Sequence, residues 1–265
     1  MPTARRASVR RLDLDLLSTS PSSPSSSSSP PRGGPPPVDA LARHLALEIP
    51  RVFSEAERAA LVAGVRAARA EWTADFGGEQ FSLGRAFYTH LEQGRSKLYF
   101  ADAAASDARV ERHLPGLQRR MRELVAALTG GLARPRRGFC GPGVHIFPAG
   151  EKVAREGGVI HFDTEGLSDY HLARRLRAIT VVVMLELPDA DGGLKLWDVL
   201  YDGRDDPGDE ALSARSLVAS YTAGGALVID SYRLHQIQPF PGGRDRISAT
   251  VHAAEIDSGR WETWF

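Results

Sequence analysis

From residue 38 onward, apolar and polar positions repeat with two different periods. Between about 50 and 137 the period is helical. Ser54-Glu55-Ala56-Glu57 has the spacing of a capping box, in which the serine hydroxyl takes the Glu57 amide and Glu57 reaches back. Behind it Leu61, Val65, Ala68 and Trp72 recur at steps of four, three and four, one apolar stripe with Arg66 and Arg69 turned outward. Pro115 suits a first helical turn and Gly130-Gly131 a stop, so a second helix is predicted over 115–129, with the stripe Leu117, Met121, Leu124 and Leu128. After residue 138 short β-rich runs take over: GVHIFP (143–148), VIHF (159–162), AITVVVMLEL (178–187), LKLW (194–197), SLVASY (216–221), ALVIDSY (226–232) and RISATVH (246–252). Turn-forming clusters such as PDADGG (188–193), YDGRDDPGDE (201–210) and PGGRD (241–245) separate them. The expected class is α+β, a helical N-terminal layer packed on a β-sandwich or barrel.

Residues 1–37 follow neither period. Segment 18–37, STSPSSPSSSSSPPRGGPPP, is low in complexity and cannot bury enough apolar area to offset the entropy of ordering. The reading is a disordered or extended Ser/Pro-rich tail over 1–37 and a single folded domain over 38–265, helical to about 137 and strand-rich over about 138–255. Arg5, Arg6, Arg10 and Arg11 followed by serines also suit an organelle transit peptide, but Asp13 and Asp15 interrupt them and no apolar stretch follows, so a tail and a cytoplasmic location are expected. Lys+Arg and Asp+Glu balance at 33 each, which removes any global field directed at nucleic acid or an anionic membrane. No run approaches the roughly 18 apolar residues of a membrane span. The one cysteine, Cys140, excludes an intramolecular disulfide and reads as a small buried hydrophobe. Oligomeric state is left open.

Three groups of residues carry chemistry. In His161-Phe162-Asp163, residues i and i+2 of an extended segment share a face, which sets an imidazole beside a carboxylate and turns Phe162 into a core. Alone, such a triplet is equally a surface His–Asp pair. His235 follows an apolar strand that begins after Gly224-Gly225. As a third ligand it would complete a two-His, one-carboxylate set, which occupies one face of an octahedral iron(II) and leaves three positions for a chelating 2-oxo acid and O2. Arg246 and Ser248 share a face on the strand after PGGRD. Buried between sheets they would hold the distal carboxylate of 2-oxoglutarate by a two-pronged charged pair and a hydroxyl. The alternative for Arg246 is a surface salt bridge with Asp245 or Asp257. His252, on the same face as Arg246 and Ser248, is expected to support the site or face substrate rather than ligate.

HFDT followed by LHQIQPFPGGRDRIS resembles the iron- and 2-oxoglutarate-dependent oxygenase superfamily, prolyl-hydroxylase-like branch, with its H-x-D … H … R-x-S signature. FPAG (147–150), DGGLKLW (191–197) and GGALVID (224–230) match in order and placement, so the resemblance covers roughly 138–255. It implies a double-stranded β-helix (jelly roll) with N-terminal support helices, iron(II) on His161, Asp163 and His235, the 2-oxoglutarate C5 carboxylate on Arg246 and Ser248, and a dioxygenase that uses O2 and releases succinate and CO2. Many members of that branch have a tyrosine and a lysine where this chain has Phe147 and Arg246, which counts against collagen-type prolyl hydroxylation. EKVAREGG lengthens the approach to His161, and residues 164–177 and a lid loop at 199–215 are expected over the pocket. Related halogenases lack the carboxylate that Asp163 supplies, so hydroxylation is expected ahead of halogenation. The expected substrate is a small molecule, an amino acid derivative or natural-product intermediate. A protein side chain, a metalloenzyme of cupin type that uses no 2-oxoglutarate, or a non-catalytic jelly-roll binding protein are the alternatives. Arg174, Arg175 and Arg177 read as a solvated helix face.

Overall fold

Residues 7–14 and 34–265 are described by a computed structural model; most of the serine-rich tract, 15–33, lies outside them. The larger of two sheets contains, in chain order, β1 (Val9–Arg11), β2 (Ala46–Ile49), β3 (Thr73–Asp75), β4 (Gln80–Leu83), β5 (Leu132–Pro135), β6 (Gly143–Phe147), β7 (Ala178–Glu186), β10 (Ala226–Asp230), β12 (Arg246–Asp257) and β13 (Arg260–Trp264). The smaller sheet is β11 (Arg233–Ile237), β8 (Leu194–Leu200) and β9 (Ser216–Ala219), in that spatial order. Its three strands are antiparallel, and β7 lies antiparallel between β10 and β12 at the centre of the larger sheet.

The period of two along β7 and β12 separates two environments. Ile179, Val181 and Val183, with Ile247, Ala249, Val251 and Ala253, enter the main core. There they meet Leu61 and Val65 of α1 (Glu55–Ala67), Val110 of α3 (Ser96–His113) and Leu117, Met121, Leu124 and Leu128 of α4 (Leu117–Thr129). The alternate residues Thr180 and Val182, with Arg246, Ser248, Thr250 and His252, face a cavity instead. One short helix, α2 (Phe87–Glu92), lies before α3. α5 (Lys152–Glu156), α6 (Asp169–Arg174) and α7 (Gly208–Leu212) sit in connections between strands.

Several elements differ from the sequence reading. The capping box at Ser54 forms with both reciprocal bonds, but α1 ends at Ala67, and Trp72 lies beyond a further turn, donating from Nε1 to the Val65 carbonyl at 2.9 Å. Pro115 stays outside α4, whose N-cap is Gly116 at φ 80°. The longest helix, α3, carries no apolar stripe: its buried side chains are Tyr99, Ala103, Ser106 and Val110, on one face but too small and polar in the middle to register as amphipathic. Val9–Arg11, assigned to the tail by composition, pairs in parallel with Ala46–Glu48. β13 carries the sheet to Trp264, past the expected limit near 255. Cys140 is buried, and no helix of the described residues is long and apolar enough to cross a membrane.

Candidate active site

His161 and His235 arrive from opposite directions. VIHF does not form a ladder; His161 makes an isolated antiparallel bridge with His235, which itself lies inside β11 rather than at the end of the preceding strand. The chain leaves β10 at Asp230, whose Oδ1 accepts the Tyr232 amide at 3.0 Å, and this turn transfers it to the smaller sheet. Asp163 is tied to the same turn, donating its amide to the Ser231 carbonyl at 2.9 Å. Phe162 points away, packed with Trp197 and Leu234.

One ligand atom from each of His161, Asp163 and His235 lies within 4.8 Å of the others. His161 Nε2 is 3.4 Å from Asp163 Oδ1, and His235 Nε2 is 3.5 Å from Asp163 Oδ2. Each imidazole donates from Nδ1 to a main-chain carbonyl two residues earlier, Val159 for His161 and Arg233 for His235, both at 2.8 Å. A carbonyl only accepts, so the Nδ1 positions carry the protons and Nε2 is left to face Asp163. Asp163 Oδ2 is enclosed without a hydrogen-bond partner among the described residues. A buried carboxylate oxygen with no donor is costly, and a cation between the three side chains removes the cost.

Charge within the triad is arranged accordingly. Burial acts against ionisation of Asp163, but the His235 and His161 imidazoles override it and hold the carboxyl well below its usual range. Burial lowers His161, but the Asp163 hydrogen bond and charge overcome this and raise it to about 9. His235, more deeply enclosed, is pushed down to about 4 by burial despite Asp163. Glu165 stands at the edge of the triad, held up to about 7 by burial and by the Asp163 charge.

The triad lines a cavity of about 330 Å³ whose opposite wall is the inner face of β12, with Arg246, Ser248, Thr250 and His252. Arg246 is 1% exposed and, among the described residues, forms no ion pair. The surface alternative is excluded: Asp245 accepts the Ala149 amide and Asp257 pairs with Arg260. The Arg246 guanidinium lies between the rings of Phe147 and Tyr221, 5.2 and 5.1 Å from their centroids, and donates from Nη1 to Ser248 Oγ at 3.3 Å. A buried cation without a counter-ion, opening on a cavity, has the charge and the geometry to take an anion. His252 accompanies it, its Nδ1 3.0 Å from Thr180 Oγ1 and its ring stacked on Trp264.

The segments expected over this cavity differ in whether they line it. No residue of 199–215 lines it; Trp197 Nε1 fastens that segment through the Leu212 carbonyl, and Tyr201 and Ala211 close the separate apolar cluster around Phe162. The EKVAREGG insertion forms α5, and Lys152, Val153, Gly157, Gly158 and Val159 line the cavity. Gly158 bonds to Ile237 through the main chain, and Val153 and Ala154 pack on Phe147 and Phe240. Of 164–177, Glu165 alone lines the narrow cleft beside His161 and Asp163. Arg174 and Arg175 lie over Tyr170 and Tyr232, and Arg177 pairs with Glu255 and Asp39, all away from the cavity. His145 and Tyr221 belong to no motif in the sequence; for His145 the alternation in GVHIF, which puts it and Phe147 on one face, is the available signal.

No family model and no curated protein matches this sequence. Solved structures do. The non-heme α-ketoglutarate-dependent epimerase SnoN from nogalamycin biosynthesis superposes with a TM-score of 0.54 at 13% identity, covering 83% of this chain and 82% of that one. The non-heme α-ketoglutarate-dependent carbocyclase SnoK from the same biosynthesis gives 0.54 at 14%, over 85% and 88%. An N-substituted L-amino acid dioxygenase from Burkholderia ambifaria AMMD gives 0.53 at 15%, over 86% and 90%. The chain thus has the fold of the non-heme, 2-oxoglutarate-dependent oxygenases.

Proposed function

We propose that this protein is an iron(II)- and 2-oxoglutarate-dependent dioxygenase that hydroxylates a small molecule, with His161, Asp163 and His235 as iron ligands and Arg246 and Ser248 on the distal carboxylate of the co-substrate. The observation that carries the reading is a pair of unmet charges in one cavity: a carboxylate oxygen between two imidazoles that lacks a donor, and a buried guanidinium that lacks an anion. A chelated metal and a dicarboxylate satisfy both at once. A metal centre that uses no oxo diacid leaves Arg246 unexplained, and so does a binding protein that keeps only the scaffold.

When bound, iron(II) supplies O2 activation coupled to oxidative decarboxylation of 2-oxoglutarate to succinate and CO2. The chain does the rest. The Val159 and Arg233 carbonyls fix the two imidazoles so that Nε2 faces inward. Asp163 supplies the carboxylate position, which leaves no protein-free site for a halide in its place. Arg246 and Ser248 orient the oxo acid from its far end. α5 and Gly157–Val159 keep bulk water off the cavity, which protects a reactive centre from unproductive turnover. A cavity of this size lies in the range of small-ligand pockets, and the SnoN, SnoK and amino acid dioxygenase likenesses favour the same substrate class over a protein side chain.

The test combines purified protein with Fe(II) and 2-oxoglutarate without O2, then admits O2. A weak visible band from the chelate and slow succinate release are expected, both absent from His161→Ala. Wild-type protein that gives neither band nor succinate overturns the assignment. A mass-shift screen of amine- and hydroxyl-bearing small molecules then identifies the substrate.

A further inference from the structure

The cavity contains one more buried polar group that nothing among the described residues satisfies and that the proposed function does not use. His145, on β6, is 6% exposed, and its Nδ1 is enclosed without a hydrogen-bond partner among the described residues. Rings pack around it, those of Phe265, Tyr88 and Phe147 at 4.6, 5.6 and 5.8 Å between centroids, and hold its orientation. Buried nitrogens of this kind are normally paired.

The sheet register says what His145 stands beside. β6 and β12 are antiparallel, with His145 directly opposite Ser248 and Phe147 directly opposite Arg246. Opposite residues project to the same side of a sheet, with Cβ atoms about 5 Å apart. His145, Ser248 and Arg246 therefore share one patch of cavity wall, and all three line it. The Phe147 side chain has no hydrogen-bonding atom and places its ring against the guanidinium. Burial, then the positive potential of His252 and of Arg246, hold the His145 pKa down to about 3. The ring is thus neutral, and a neutral donor beside Arg246 strengthens an anion site without setting two cations against each other.

We propose that His145 is a third binding group for the distal carboxylate of the oxo diacid, its ring turning to donate an N–H into the cavity beside Arg246 and Ser248. This rests on the co-substrate assignment above and adds to it the residue that completes the donor set.

The test measures binding rather than turnover. Protein loaded with Mn(II) is titrated with 2-oxoglutarate and, separately, with oxalate, which keeps the metal-chelating end and lacks the distal carboxylate; calorimetry reads both. His145→Phe is expected to weaken 2-oxoglutarate by about tenfold or more, in line with the loss of one hydrogen bond to a charged group, and to leave oxalate unchanged. His145→Asn, whose amide N–H falls near Nδ1, is expected to keep most of the affinity. Thermal melts monitor folding, and His145→Leu replaces the phenylalanine variant if that one does not fold. Unchanged 2-oxoglutarate binding in the apolar variant, or an equal loss for oxalate, overturns the role of His145. Wild-type protein that binds Mn(II) and oxalate but not 2-oxoglutarate overturns the co-substrate assignment instead.

Discussion

His161 and His235 are hydrogen-bonded to each other through their own main chains: each amide donates to the other's carbonyl, at 3.1 and 3.0 Å, while their rings stand 4.3 Å apart between centroids. Two side chains separated by more than seventy positions are thereby held as rigidly as neighbours on one ladder. Asp163 joins the same frame through its amide bond to Ser231. The three side chains are thus preorganised by main-chain bonds.

Removing Asp163 leaves two imidazoles and no anion. Asp163→Ala is expected to lose more Mn(II) affinity than the roughly 10–100-fold that loss of a supporting partner causes at a metal site. Calorimetric titration of the metal checks this, and affinity within tenfold of the wild type would count against the ligand assignment.

On the proposed assignment, Arg246 would serve its ligand at a cost to the empty fold. Its guanidinium is buried with no carboxylate partner among the described residues. Arg246→Met is expected to raise the stability of the ligand-free protein by about 1–3 kcal/mol, because an unpaired buried charge is replaced by an apolar chain of similar length. The same variant loses the rise in Tm that 2-oxoglutarate gives the metal-loaded wild type. A lower Tm in the ligand-free variant would sink the argument.

Gly157 fixes the path of the segment proposed as the cover. Its φ of 85° and ψ of 171° fall in a region open only to glycine, and a Cβ there would stand 2.8 Å from the Ile237 carbonyl oxygen. Gly157→Val is expected to cost about 1–3 kcal/mol of stability and to displace α5, raising the substrate KM while Mn(II) affinity stays at the wild-type level. Unaltered KM would mean that α5 is not the cover.

Acid sensitivity has a defined origin. With a folded pKa near 3 and an ordinary unfolded value of 6.5, His145 takes up a proton in the unfolded chain before the folded one. Below about pH 6.5 the unfolded state therefore binds more protons, and stability falls as pH falls, by up to about 1.4 kcal/mol per unit until the folded pKa is reached. His235, lowered to about 4, adds in the same direction. His145→Asn is expected to show a smaller loss of Tm than the wild type between about pH 7 and pH 5. An equal loss would place the acid sensitivity elsewhere.

Local chemistry along the chain determined a good part of this protein. β-rich runs between turn-forming clusters located β6, β7, β8, β9, β10 and β12, because β-branched and apolar residues suit strands buried on both faces. The capping box set the start of α1, and the glycine pair set the end of α4. The i, i+2 rule put His161 beside Asp163 and Arg246 beside Ser248 before any tertiary contact was known. The α3 helix stayed hidden because Ala103 and Ser106, small side chains in close packing, carry no hydrophobic signal.

Tertiary structure decided the rest, and the reason in each case is a pairing between segments distant in sequence. The turn after Asp230 moved His235 to the second sheet and brought it against His161. Register between β6 and β12 set His145 opposite Ser248, which no window around GVHIF contains. Composition gave Val9–Arg11 to the tail, yet Val9 packs near Leu45 and Ala46 once β2 offers an open edge. Residues of 152–159 line the cavity and those of 199–215 do not, the longer loop being held to β8 by Trp197 Nε1 and the Leu212 carbonyl. Sequence periodicity reports which face a residue takes; which two faces meet depends on the packing of the whole chain.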